Sequence, residues 1–389
     1  MSSQELQMKI QRFESFIKID PSNINLAIDL ADLYVEDLRF EDALSCLQQV
    51  QTHAAFNLKI QVRLADLFLG QSRYAEAEKV YETLLEHGEN DPVLHHNFAL
   101  ALFYQSQFER SLEHLNAAHD LGFCEANQWK YLAYCRHHLF QMEGATDACK
   151  NWIITSNGSL ESRAYMCMLA FDSNLSDDAR KFAEDVLKED PDNVSANTVL
   201  GSLALEENEI DQAHLYFAKA TPDPKNSGRA WLGQGLAYLY DDHKNEAISA
   251  LSEATRKMPE HAGTVIALGW TLLSSSDFIG AEKSFRRAVE IDRNFAESHG
   301  GLASALVHLN RLEEAKAAIA IADKLNKANF GAIYAKAFLL KLNGREDAST
   351  MLISRALERS PSDGSPPLID HLRSFLSRQA KTKPTSQTH

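Results

Sequence analysis

The stretch GRAWLGQGLAYLYDDHKNEAISALSEATRKMPEH, from Gly228 to His261, decides the fold. Stepping by 34 residues in both directions from Ala247 lands on Ala43, Ala77, Ser111, Ala145, Ala179, Ala213, Ala281, Ala315 and Ser349. The same step from Gly235 lands on Ala31, Ala65, Ala99, Ala133, Cys167, Gly201, Gly269, Ala303 and Ala337, so both positions are always small. No insertion or deletion interrupts the step between Ile24 and Asp363. Ten units of 34 residues therefore make up most of the 389-residue chain, and a period of this length is the mark of a repeat architecture.

Each unit carries two amphipathic helical stretches separated by a short polar break, as in VRLADLFLGQ followed by SRYAEAEKVYETLLEHG (residues 62–88). Large apolar residues precede the first small position (Leu30, Leu64, Phe98, Leu132, Met166, Leu200, Leu268, Leu302). Others open the second helix (Phe40, Tyr74, Phe108, Met142, Ile210, Phe278, Leu312). A small side chain where two antiparallel helices cross lets large neighbours fill the space. One such pair cannot bury its own apolar face, so the pairs must stack.

This pattern resembles the tetratricopeptide repeat. Trp231, Gly235, Tyr238, Ala247, Leu251, Ala254 and Pro259 fall on that family's signature phases. The next unit matches with Leu268, Gly269, Leu272, Ala281, Phe285 and Ala288, although Arg293 stands where Pro is usual, and Pro191 and Pro361 restore that Pro in two other units. The resemblance implies an all-α fold, a right-handed α-solenoid superhelix of helix-turn-helix repeats over residues 24–363. It also implies a concave wall, built from the first helix of each unit, that grips segments of partner proteins. Residues 1–23 are expected to form an N-terminal capping helix, 364–379 a C-terminal capping helix and 380–389 a disordered tail. Arg136, Trp152, Ser176 and Ala183 depart from the phase pattern, and Thr155–Ser159 is flexible by composition, so a softened joint is expected within 126–193.

Composition narrows the function classes. The 39 basic and 54 acidic side chains leave a net charge of -15, so the average surface repels nucleic-acid backbones and anionic membranes. Neither partner is expected. The five cysteines form no C-x-x-C pair, which disfavours a zinc site and fits a reducing compartment. The N-terminus lacks a secretory pattern and no window approaches a spanning helix, so a cytoplasmic location is expected.

No P-loop, H-E-x-x-H or strand-linked G-x-G-x-x-G occurs, so neither catalysis nor a small-molecule cofactor is expected. The adjacent pairs His95-His96 and His137-His138 point about 100° apart on a helix, which is not metal-ligand geometry. His137, His138 and Asp172 are the nearest thing to a titratable cluster, and would be the place to look for an enzyme instead.

The remaining candidates lie on first-helix phases not used by the small-residue seam. In the first two units, Asn25, Ile28, Asp32, Glu36, Lys59, Val62 and Asp66 read as a solvated face. Ile28, Asp32, Val62 and Asp66 stand where relatives that clamp the carboxylate of heat-shock chaperones carry Lys and Asn, so that role is disfavoured. In units three and four the wall phases offer His96, Leu100, Phe103, Tyr104, Lys130, Tyr134, His137 and His138, of which Lys130, Tyr134 and His137 share one face as a cationic and aromatic strip. In units seven to ten, Tyr240, Trp270, Leu273, Tyr334 and Phe338 surround the small residues Gly300, Gly301 and Ser304, an expected concavity. The implied partner is an extended or helical protein segment with apolar anchors and acidic residues, bound by a non-enzymatic adaptor. The rivals are a structural spacer and a non-catalytic subunit of a larger complex.

Overall fold

The computed structural model describes residues 3–52, 56–225 and 227–358, and it is 79% helical with no strand among them. After a first helix α1 (Ser3–Ile19), ten helix pairs follow. They are α2 (Ile24–Glu36) with α3 (Phe40–Gln51), α4 (Leu58–Gly70) with α5 (Tyr74–Glu86), α6 (Pro92–Phe103) with α7 (Phe108–Asp120), α8 (Ala126–His138) with α9 (Met142–Thr155), and α10 (Leu160–Asp172) with α11 (Ser176–Glu189). The second five are α12 (Val194–Glu206) with α13 (Ile210–Ala220), α14 (Gly228–Tyr240) with α15 (Lys244–Lys257), α16 (Ala262–Ser274) with α17 (Phe278–Ile291), α18 (Ala296–His308) with α19 (Leu312–Leu325), and α20 (Phe330–Leu342) with α21 (Glu346–Glu358). The expected C-terminal cap and tail lie outside the described residues.

The period also governs how most first helices start and how every one stops. Asn23, Asn57, Asp91, Ser159, Asn193 and Asn329 share one phase, and each accepts a hydrogen bond from a backbone N–H in the helix it opens. At the other end, the residue at phase 38 takes a left-handed backbone in every unit: Leu38, Ser72, Ser106, Phe140, Asn174, Asn208, Asp242, Ser276, Asn310 and Gly344, with φ between 54° and 70° at this phase and in the added turn at Asn157. In the first unit, Arg39 N–H bonds Tyr34 O at 2.7 Å and Leu38 N–H bonds Val35 O at 3.0 Å, the paired bonds that close a helix C-terminus through a left-handed residue.

Packing follows the small-residue seam. Every residue at the Ala247 phase is buried, from Ala43 at 0% exposure to Ser349 at 8%. Large side chains fill the space this leaves, as where Phe285 lies against Gly269.

The chain divides into two compact units, residues 1–182 and 183–389. In the first, Leu6 and Ile10 of α1 join a core that runs through α2–α6, and a second cluster around Trp152 joins α6–α10. Trp152, out of pattern in the sequence, is 3% exposed and packs on Tyr134 and Tyr165. The run Thr155–Ser159 carries its own bonds: Ser159 N–H donates to Ser156 Oγ at 3.4 Å, and Ser159 Oγ caps α10. In the second unit, the core runs through α16–α20 around Phe285 and Leu306.

Candidate functional site

In the first unit, α6, α8 and α10 bring most of the expected strip together. Phe103, Tyr104, Tyr131, Tyr134, Trp152 and Tyr165 form a continuous aromatic cluster, and the Tyr104 and Tyr131 hydroxyls bond each other at 2.6 Å. The Lys130 ammonium stands 5.9, 5.8 and 5.6 Å from the ring centres of Tyr131, Tyr134 and Trp152, within cation–π range. It also meets Glu161 at 2.6 Å. His137 bridges α8 to α10, with Nδ1 2.7 Å from the Tyr165 hydroxyl and Nε2 3.1 Å from Asp172. Lys130 and His137 thus already face carboxylates of this chain, which differs from the open cationic face expected.

His96 requires a correction. It is 4% exposed, with Nδ1 bonded to Gln128 at 2.7 Å and Nε2 to Asn127 at 3.2 Å, so it is a packing residue rather than a wall residue. Burial holds its imidazole below the ordinary histidine range. His138 is exposed at its edge but stacked on Phe108 at 4.1 Å, and desolvation and then the His137 charge lower its pKa. No group of three or more metal-ligating side chains is found among the described residues.

In the second unit, α14, α16 and α20 carry the other candidates. Tyr240 is 43% exposed. Trp270 meets Phe285 edge-on at 5.4 Å, and Trp270, Leu273 and Phe338 each lie partly buried against the core. Tyr334 bonds His308 at 2.9 Å, and the His308 ring lies between Phe278 and Phe338. The expected concavity at Gly300, Gly301 and Ser304 is filled. All three residues are buried, Ser304 Oγ donates to Gly331 O and Gly300 O, and a Cβ at Gly331 would stand 2.5 Å from the Gly300 carbonyl carbon. Small residues here let α18 and α20 meet backbone to backbone, leaving no room for a ligand.

A cavity of about 310 Å³ lies instead among the first units, whose face was expected to be merely solvated. Leu58, Val62 and Asp66 of α4 line it together with Val93, Leu94 and Asn97 of α6, and Tyr81 of α5 lies beneath. Arg63 with Asp32, Asn97 with Asp66, Asn127 with His96, and Lys130 with Glu161 are all contacts between neighbouring first helices, 31 residues apart. That offset, three short of the repeat, is the sequence signal that would have found these pairs. No helix among the described residues is long and apolar enough to cross a membrane.

A tetratricopeptide repeat family model matches residues 28–92, 168–227 and 266–329. The chain is 22% identical over 278 residues to the human protein O-mannosyl-transferase TMTC3, covering 71% of this chain and 27% of that protein. It is 24% identical over 284 residues to the BBSome complex member BBS4 of Bos taurus, covering 71% of this chain and 52% of that protein. The chain thus spans between about a quarter and a half of the length of these relatives. A chain in the crystal structure of the APC/C hetero-tetramer Cut9-Hcn1 shares the fold, with a TM-score of 0.53 at 14% identity, over 76% of this chain and 59% of that one. With ten helix pairs in register, small residues buried at both helix crossings and the family model matched in three separate stretches, the chain belongs to the tetratricopeptide repeat proteins.

Proposed function

We propose that the protein is a non-enzymatic adaptor whose first-helix face binds a segment of another protein. The observation that carries this reading is the run of aromatic side chains left partly open on first helices. Tyr104 is 50% and Tyr240 43% exposed, and Trp270 and Phe338 cover the core without being enclosed by it. Rigid aromatic rings flanked by packed neighbours are the usual energetic anchors of protein interfaces. The likeness to a BBSome complex member supports a role inside an assembly. The transferase named in the other relative belongs to a protein of which this chain matches about a quarter, and that activity is not carried over. His137, Asp172 and Tyr165 tie α8 to α10, with a phenol where a nucleophile would stand; a bridge between repeats accounts for them.

Affinity capture with mass spectrometry tests this reading, comparing the wild type with Trp270→Ala and Tyr104→Ala proteins whose melting temperatures match it. Loss of a shared set of captured proteins by either variant is expected, with a cost of at least ~2 kcal/mol for an anchor at Trp270. Capture that is identical for all three proteins would place recognition elsewhere on the chain.

A further inference from the structure

Two crevices of the first compact unit flank α4, share the Asp66 carboxylate and carry three corresponding positions one repeat apart that are furnished differently. The first, about 170 Å³, lies between α2 and α4 over α3 and is lined by Asp32, Val35, Leu47 and Arg63. There the Arg63 guanidinium reaches Asp32 at 3.1 Å, so the carboxylate is neutralised from within the chain. The second is the cavity between α4 and α6 over α5. Stepping by 34 residues, Asp32 becomes Asp66, Leu47 becomes Tyr81, and the position that supplies the arginine becomes Asn97.

That exchange leaves Asp66 without a cation and the Tyr81 hydroxyl without a partner. Asn97 Nδ2 donates one long bond to Asp66 Oδ1 at 3.3 Å, and Arg63 turns to Asp32 instead, so Asp66 has no ion pair. Tyr81 is 2% exposed, and its hydroxyl, beside Asp66 and Asn97, closes no hydrogen bond of normal geometry. A buried hydroxyl left in this state costs on the order of 1–3 kcal/mol, so a donor arriving from outside would relieve it. Glu89 and Asp91 add acidic charge at the rim, although Asp91 also caps α6. The walls are aliphatic: Leu58, Val62 and Val93 are 37%, 36% and 47% exposed. Burial raises the Asp66 pKa, only partly offset by the Arg63 charge and the Asn97 bond, as expected of a carboxylate short of a cation.

We propose that this cavity receives an arginine side chain of the partner segment, its stem along Val62 and Val93 and its guanidinium donating to Asp66 and to the Tyr81 hydroxyl. The fork of an arginine can reach both acceptors at once, and its methylenes suit an aliphatic wall. The neighbouring crevice already holds a guanidinium on the equivalent carboxylate. This proposal rests on the adaptor reading and specifies one feature of the segment that the adaptor binds.

The test uses the 389-residue chain and a phage-displayed library of random dodecapeptides. Peptides selected on the wild type are expected to share an arginine. In the tightest of them, replacing that arginine by alanine should weaken binding by about tenfold or more, measured by fluorescence anisotropy. Asp66→Asn should weaken it to a similar degree, and Tyr81→Phe by a smaller factor. Asn97→Arg, which recreates the first crevice in the second, should abolish the arginine preference with the melting temperature unchanged or raised. That variant keeps the proposal falsifiable if Asp66→Asn fails to fold. Peptides that share an arginine but bind the Asp66→Asn and Asn97→Arg proteins as tightly as wild type would overturn the proposal. Peptides without a shared basic residue that still depend on Tyr104 or Trp270 would overturn it while leaving the adaptor reading in place. Failure to select any peptide would count against both.

Discussion

Gly331 of α20 rests on Gly300 of α18 so closely that a Cβ on Gly331 would meet the Gly300 carbonyl carbon at 2.5 Å and its oxygen at 2.8 Å. Both obstacles are backbone and cannot swing aside. Gly331→Ala should therefore separate the two helices and lower unfolding stability by ~1–3 kcal/mol. Gly70, at the end of α4, has nothing within 4 Å of the same construction. Gly70→Ala should raise stability by roughly 0.5–1 kcal/mol through helix propensity. Denaturant titration of the two variants reads the contrast directly, and equal midpoints would contradict the close packing.

Phe140 holds φ at 56° while 87% exposed. A bulky side chain in the left-handed region costs roughly 1–2 kcal/mol, and no burial of the ring compensates here. At the same phase the chain uses asparagine three times, at Asn174, Asn208 and Asn310. Phe140→Asn should accordingly stabilise the protein by ~0.5–1 kcal/mol. A lower melting temperature in this variant would mean that the Phe140 ring contributes packing that its exposure does not show.

Ala281 sits at the helix crossing with 0% exposure, beside Phe285 and Ala288 in the core. Ala281→Leu should overpack that crossing and cost ~1–3 kcal/mol. The same change at exposed Ser252 of α15 should move stability by no more than about 0.5 kcal/mol. An unchanged denaturation midpoint for Ala281→Leu would mean that the repeat register is wrong.

His95 and His114 face each other with Nδ1 atoms 2.9 Å apart. Burial, then the His95 charge, then Arg110 lower the His114 pKa to about 4, and burial lowers that of His95 despite Asp91. Between that value and the ordinary histidine value near 6.5, the unfolded chain binds protons that the native pair refuses. Stability is thus fully present above about pH 6.5 and falls as pH drops towards 4. With allowance for partial exposure, the loss is about 1–2 kcal/mol. His114→Phe should flatten the pH dependence of the melting temperature in this window, and a profile as steep as wild type would contradict the assignment.

The aromatic and polar groups on the first helices were visible in the sequence, but their availability was not. Lys130 and His137 share one face of α8 by spacing alone, yet Glu161 and Asp172, which they meet, come from the next first helix. His96 follows the same phase as Lys130 and is nevertheless enclosed by Gln128, Asn127 and Phe123.

The sequence by itself determined the period, the two helices per unit and the small residues where those helices cross. Each of these depends on a few neighbouring residues, and the chain repeats them every 34 positions, so one unit reads for all. Only the tertiary structure decided which wall residues stay open. That outcome depends on the particular side chain the adjacent repeat presents, about 31 residues away. At this distance an arginine in one repeat and an asparagine in the next give different results: Arg63 pairs with the carboxylate of Asp32, and Asn97 leaves that of Asp66 without an ion pair. The same holds for Gly300, where small residues that could have framed a ligand instead admitted the backbone of α20, because close contact between two helices buries both surfaces.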